Sequence, residues 1–480
     1  MNNRGGKASP AFVDLDISGA STRLSILLVL LKIFLATNSS ASVLKIYPKP
    51  QSFSSIQSAI NTLRSGDTLL LGEGRYDGNF TVDRKLSIMG DPMATINGSD
   101  SGDVITLTSD SCHLANLIIL HGGKMQLGEN SGLKVHSNHN VVENCKFDDN
   151  TFGIYFFSAN YNVVRNTEIH GRPSVDMNQR GNGIHLHDSK HNLIDHVHIY
   201  ETRDGIYFDF ADSNTVLFTR VEYVRYGFHY MYSNDNLFEN CYLSNNVAGA
   251  ALMYSNHGLT FRNNIFIHNV GYRAYGILYK DCNKGLAENN LIIDNTTGMF
   301  FDNSHKNVTR WNIIALSGVA VRFYMSSEYD IFYENNFVDN LSSLVLAGGK
   351  GEILWDQHGR GNYWSNAHTY DLDGDGVGDT PHIVESVFDY IQGEYPLFNL
   401  YMYSPAAQAL QFAERTIPVI VGGLQIDHYP LMKPVCITCT LAPTMAIRRA
   451  RHFDPLLFCF SFFLLVCSAL VVTELKRVSM

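Results

Sequence analysis

A glycine recurs at a fixed step through the middle of this chain. Gly183, Gly205, Gly227 and Gly249 lie 22 residues apart (205−183, 227−205, 249−227), Gly276 and Gly298 repeat the step, and Ala320 extends it with the glycine replaced. The segments that follow, among them GIHLHDSKHNLI, GIYFDFADSNTV and GFHYMYSNDNLF, share one order: glycine, a short alternating strand, a polar turn, a second apolar strand. A repeat this short and without an amphipathic helix cannot bury its own core. It is stable only when stacked on copies of itself as a parallel β-solenoid. The period therefore predicts an all-β chain, a right-handed parallel β-helix of 22-residue coils over residues 43–345.

Two gaps depart from the period. Gly153 to Gly183 spans 30 residues and Gly249 to Gly276 spans 27, which places surface insertions near Arg172–Arg180 and Val270–Ala274. Before the coils, QSFSSIQSAINTLRS (51–65) sets Ile56, Ile60 and Leu63 on one helical face. A helix here would cap the open end of the first coil, where strand edges are otherwise unpaired. Asn166, Asn240, Asn263, Asn289 and Asn312 recur late in successive coils, and an asparagine ladder closing turns is the structural reading of them.

Alternation sorts each first strand into inner and outer residues. Ile184, Ile206, Phe228, Ala250, Ile277 and Met299 belong inside, as do Leu186, Phe208, Tyr230, Leu252, Tyr279 and Phe301. The intervening residues form two outward columns: His136, Phe157, His187, Asp209, Met231, Met253, Lys280, Asp302, and Lys134, Tyr155, His185, Tyr207, His229, Ala251, Leu278, Phe300. His185, His187, His229, Met231 and Met253 thus share a patch that alternation turns to solvent. Imidazole and thioether together suit copper, Cu(I) above all. The same residues also suit a protein-docking surface, where Met, His and Tyr supply adaptable contact.

A rival reading is a carbohydrate-active β-helix enzyme of lyase or epimerase type, or a carbohydrate-binding solenoid. Such an enzyme needs grouped carboxylates or an acid and base beside a neutralising cation. Asp204, Asp209 and Asp212 are close in sequence, but alternation puts only Asp209 on the patch. A purely structural solenoid would leave the divergent C-terminal third unexplained. The net charge of −10 gives a nucleic-acid partner no electrostatic support.

The ends carry different signals. Residues 1–42 read as a signal peptide or N-terminal anchor, with Arg4, Lys7 and Arg23 before an apolar run from Leu24 and small residues from Ala36 to Ser42. Either outcome places the coils outside the cytoplasm. Residues 346–435 form a mixed C-terminal extension in which 404–415 reads as a helix. Asp371, Asp373, Asp375 and Asp379 surround glycine turns there, gathering the hard oxygens that Ca²⁺ prefers, although His382 stands where an EF-hand has its glutamate; a solvated acidic turn is the other reading. Residues 436–480 hold Cys436-x-x-Cys439 and an apolar run, Leu456 to Val472, near the length of a membrane span. Cys112, Cys145, Cys241 and Cys282 fall on coils, where a buried free thiol is the default.

The stretch GNYWSNAHTYDLDGDGVGDTPH (361–382), continued by SVFDYIQGEYPLFNLYMYSPAAQALQFAERTIPV (386–419) and IDHYPLMKP (426–434), resembles the NosD family of nitrous oxide reductase maturation factors. The resemblance covers residues 44–435. It implies a non-enzymatic extracytoplasmic β-helix that works with the ATPase and membrane subunits of an ABC transporter and with a lipoprotein copper chaperone. Together these supply the copper centres of nitrous oxide reductase. The family brings no copper motif to transfer, so the His/Met patch rests on the residues alone.

Overall fold

The computed structural model describes residues 41–48, 53–324, 326–347, 352–384, 404–405 and 425–437, all within the compact unit Met1–Ile437. The N-terminal segment before residue 41, most of the expected 404–415 helix, Cys439 and the C-terminal apolar run lie outside the described residues. Among the described residues no helix is long and apolar enough to cross a membrane.

The chain winds as a right-handed parallel β-helix of about 13 turns. Its strands fall into a 12-stranded and a 22-stranded parallel sheet, each strand pairing with its equivalent one coil on. The residues that position the outer face lie on β1 (Phe152–Phe157), β2 (Ile184–His187), β3 (Asp204–Asp209), β4 (Tyr226–Met231), β5 (Ala248–Ser255) and β6 (Tyr275–Cys282), all in the 12-stranded sheet. Register follows the repeat: Ile184 pairs with Ile206, Ile206 with Phe228, Phe228 with Ala250 and Ala250 with Ile277. Both inward columns are buried, from Ile184 and Leu186 to Met299 and Phe301. At the N-terminal end, helix α1 (Phe53–Thr62) turns Ile56 and Ile60 into the core, with Leu63 beside them.

The repeating glycines are fixed by space rather than by backbone angle, for none of them has a positive φ. A Cβ on Gly183 would meet the carbonyl oxygen of Gly205 at 2.7 Å, one on Gly205 that of Gly227 at 2.5 Å, and one on Gly249 that of Gly276 at 2.6 Å. The next coil's backbone therefore occupies the place of the missing side chain.

The asparagine ladder is present, but one residue along from most of the expected set. Asn166, Asn240, Asn263 and Asn289 take left-handed backbone angles (φ 49–57°), a corner that asparagine tolerates. The residues after three of them, Cys241, Asn264 and Asn290, lie in the buried ladder, and Asn312 belongs to it directly. Asn264 N–H donates to Asn290 Oδ1 (2.9 Å), Asn290 to Asn312 (2.9 Å), Asn312 to Asn335 (3.0 Å), Asn335 to Asn362 (3.1 Å) and Asn362 to Asp427 Oδ2 (2.7 Å). A second run links Asn140, Asn162, Asn192, Asn214 and Asn236, and resumes at Asn307, whose N–H donates to Asp330 Oδ1 (2.8 Å).

Both ladders finish on a buried carboxylate. Asp427 also accepts from the Trp364 indole (2.8 Å), yet burial still pushes it up to about 6. Burial pushes Asp330 up to about 7, because Oδ1 takes both hydrogen bonds from Asn307 while Oδ2 has no partner. Ladder asparagines donate Nδ2 to a carbonyl, as Asn335 does to Thr309. An ionised Asp330 has no such donor, and its Oδ2 has no hydrogen bond to offset burial.

Two outcomes follow from this packing. Gly249→Ala forces its Cβ against the Gly276 carbonyl and Phe266, and overpacking of this kind costs about 1–3 kcal/mol, to be read from urea unfolding. Asp330 has its folded pKa raised, so its contribution is complete below about pH 4, falls as pH rises, and is lost above about pH 7. Asp330→Asn should be more stable than the parent near pH 8, with the gap closing towards pH 4. A gap that does not change with pH would show that Asp330 ionises as an ordinary carboxylate.

Candidate functional site

The outer face of β1–β6 carries the two columns that alternation sets there. His185 pairs with Tyr207, Tyr207 with His229 and His229 with Ala251, while His187 pairs with Asp209, Asp209 with Met231 and Met231 with Met253. Their exposure differs from the expectation. His187, Met231 and Met253 are half-buried, whereas His185 and His229 are only 8% and 9% exposed. Outward residues one rung apart cover one another at strand spacing, and here rings fill the column. Tyr155, His185, Tyr207 and His229 pack on one another, tilted or edge-on, at centroid distances of 4.4, 4.7 and 4.5 Å, with Phe152 and Tyr226 against their flank.

The open column has its own order. His187 Nδ1 lies 2.8 Å from Asp209 Oδ2, which fixes the ring and leaves Nε2 free. Tyr207 donates its hydroxyl to Met231 Sδ at 3.3 Å. Met253 follows on the next rung, so two thioethers occupy adjacent rungs, and Asp209 stands between them and the oriented imidazole of His187.

Beneath this edge lies a charged cluster that sequence reasoning passed over. Asp204, fully buried at the start of β3, accepts two hydrogen bonds from Arg225, at 2.9 Å and 2.7 Å, and sits 3.0 Å from His229 Nδ1. Arg203 Nε lies 3.4 Å from the same carboxylate, and Arg203 Nη2 donates to Asn182 Oδ1 at 3.0 Å. Burial alone would raise the Asp204 carboxyl, but the hydrogen bonds from His229 and Arg225 outweigh it and hold it at about 2. Burial, helped by the charges of His187 and Arg203, pushes His185 down to about 3. The signal was available: Arg203 and Arg225 are one period apart (225−203 = 22), and Asp204 directly precedes the coil glycine Gly205.

His191, His196 and His198 do not join this face. His191 stacks on Tyr161 at a corner, while His196 and His198 belong to the other sheet and pair with Asp195 and Glu222. Cys112, Cys145, Cys241 and Cys282 are buried free thiols, and burial pushes the last three up to about 12. Cys436 is exposed.

In the C-terminal loop, Asp371, Asp373 and Asp375 bring one oxygen each within 4.8 Å of the others. Asp379 stands apart, accepting from Leu372 N–H at 2.6 Å. The loop's own amides already use part of the set, since Asp371 accepts from Gly374 and Gly376, and Asp375 from Val377. His382 is turned away, stacked on Trp364 at 5.0 Å.

The strand pairing and its outer face define a parallel β-helix protein. Residues 162–369 match the family described as "Periplasmic copper-binding protein (NosD)". A "Probable ABC transporter binding protein NosD" from Pseudomonas aeruginosa is 28% identical over 432 residues, covering 76% of this chain and 87% of its own. A protein of the same description from Stutzerimonas stutzeri is 32% identical over 117 residues, 24% of this chain and 27% of its own. Among solved structures, the A-module of the mannuronan C-5 epimerase AlgE6 from Azotobacter vinelandii overlays 66% of this chain and 95% of its own, with 10% identity and a TM-score of 0.46.

Calcium separates the two readings of the aspartate loop. A site of the affinity usual for extracellular modules, at about 10 mM calcium, should raise the melting temperature by a few degrees. A solvated acidic turn leaves the melting curve where it was, and Asp373→Asn then has no effect on it.

Proposed function

We propose that this chain is an extracytoplasmic accessory protein for assembly of the copper centres of nitrous oxide reductase. In this reading it works beside an ABC transporter and a copper chaperone and performs no catalytic step of its own. The observation that carries it is the open stripe of His187, Met231 and Met253 in a chain that matches a family described as copper-binding. His187 offers a held imidazole with Nε2 free, and the two thioethers supply the soft sulfur that Cu(I) prefers. Neighbouring rungs are about 4.8 Å apart, so Met231 and Met253 must lean together to share an ion, which flexible side chains allow. His185 and His229 lie deeper, beside Arg203 and Arg225, whose charges oppose a cation; the accessible edge is the three-residue stripe.

The cluster around Asp204 supports the non-enzymatic side of this reading. A carboxylate held at about 2 by an arginine fork and a histidine is a poor general base near neutral pH.

The test is the double substitution Met231→Leu with Met253→Leu in the full chain. Side-chain volume is kept and the sulfurs are removed, so folding should change by less than about 1.5 kcal/mol. Cu(I) titration under reducing conditions should lose its tightest equivalent, and copper loading of the reductase should fall. Unchanged titration and loading would sink the assignment of copper to these sulfurs.

A further inference from the structure

We infer that Asn182, His185 and Arg203 frame a binding site for a small carboxylate on the outer face of β2 and β3. Among the described residues, eight buried side-chain polar atoms have no hydrogen-bond partner, and four of them belong to these three residues: Asn182 Nδ2, His185 Nδ1, His185 Nε2 and Arg203 Nε. Buried donors are rarely left unmet, since the lost solvation is not recovered. One such atom is an isolated defect. Four in three residues at the starts of adjacent strands mark a place where a partner belongs.

The residues meet for reasons the repeat supplies. Arg203 Nη2 donates to Asn182 Oδ1, so the amide is turned with its N–H₂ group left over. Asn182 precedes His185 by three residues, the offset at which Phe152 meets Tyr155 (5.7 Å) and Tyr226 meets His229 (5.1 Å) on other coils. Asn182 is fully buried and His185 is 8% exposed, while the Arg203 and Arg225 side chains keep 23% and 29% of their surface. Solvent therefore reaches this cluster at its guanidinium groups.

Chemistry selects the ligand. Asn182 Nδ2 and Arg203 Nε are donors, and a neutral imidazole can add a third N–H. All of these call for acceptor oxygens. Asp204 is already held by Arg225 and His229, and Arg203 Nε reaches it only as an ion pair at 3.4 Å, without a hydrogen bond. Two guanidinium charges against one carboxylate leave a surplus of one positive charge. A monovalent anion with two coplanar oxygens matches that surplus and the planar Arg203 fork, whereas a metal cation meets two arginines. The site is thus separate from the thioether stripe.

The experiment uses the full chain with ¹⁵N-labelled histidine at about pH 7.5, where an unperturbed imidazole is already neutral. The His185 signal is assigned by its loss in His185→Gln. Sodium acetate is the probe, sodium phosphate the second arm. Acetate should move the His185 signal saturably in the millimolar range, and phosphate should not. Arg203→Met should weaken acetate binding by about tenfold or more, the range of a charge-assisted hydrogen bond. Should that variant fail to fold, Asn182→Asp is isosteric and puts a fixed negative charge in the site, which should abolish the acetate response while the melting temperature holds. No acetate response, an equal response to phosphate, or a response unaltered in both variants overturns the proposal.

Discussion

Neighbouring coils approach so closely at the glycine column that the carbonyl oxygen of one rung stands where the Cβ of the preceding rung would be. Everything on the 12-stranded sheet depends on that approach. It lets the strands pair without slippage, because a one-residue shift would turn every inward aromatic to solvent. It also brings the buried asparagines within hydrogen-bond reach, so that each backbone N–H at the corner finds a side-chain oxygen one coil on. Corner amides that a sheet would leave unpaired are satisfied by this route. The glycine column and the asparagine ladders are two answers to one demand, a constant rise per coil.

The same regularity explains what could be read in advance. A period and an alternation fix which residues share a column, and the pairings His187–Asp209, Asp209–Met231 and Met231–Met253 need nothing else. Exposure was not legible in this way. Alternation gives the side of the sheet on which a residue stands, but not what leans over it from the next rung. His185 and His229 are outward and covered, because tyrosines occupy the alternate rungs and pack edge-on or tilted against them. A column of small residues in the same positions would have left them open.

Asp204 and the ladder asparagines escaped for a different reason. They lie at corners, where the two-residue alternation breaks and left-handed residues intervene. Asn263 and Asn289 each precede a second asparagine, Asn264 and Asn290, and recurrence late in the coil does not by itself say which of the two enters the ladder. The period itself does not fail there. Arg203 and Arg225 recur at 22 residues just as the glycines do, and residues that recur at the coil length lie on adjacent rungs whatever their local conformation. In a solenoid, spacing is the better guide at corners and alternation the better guide in strands.

The two kinds of chemistry on this face are kept apart by the solenoid's geometry. Residues such as His187 and Met231 lie at strand ends where the face is open, while Asp204, Arg203 and Arg225 lie one corner away and are largely sealed. The sealed cluster has a permanent charge on each member, since Asp204 is held near 2 and guanidinium does not titrate in the ordinary range. The surplus positive charge of two guanidinium groups against one carboxylate repels a passing cation from the covered imidazoles and leaves the thioether edge as the softer, less charged surface. Column position along a coil thus decides chemistry: the strand end presents sulfur and a steered imidazole, and the corner presents charge. Because each column repeats at the coil length, a single substitution changes one rung without altering the neighbouring column.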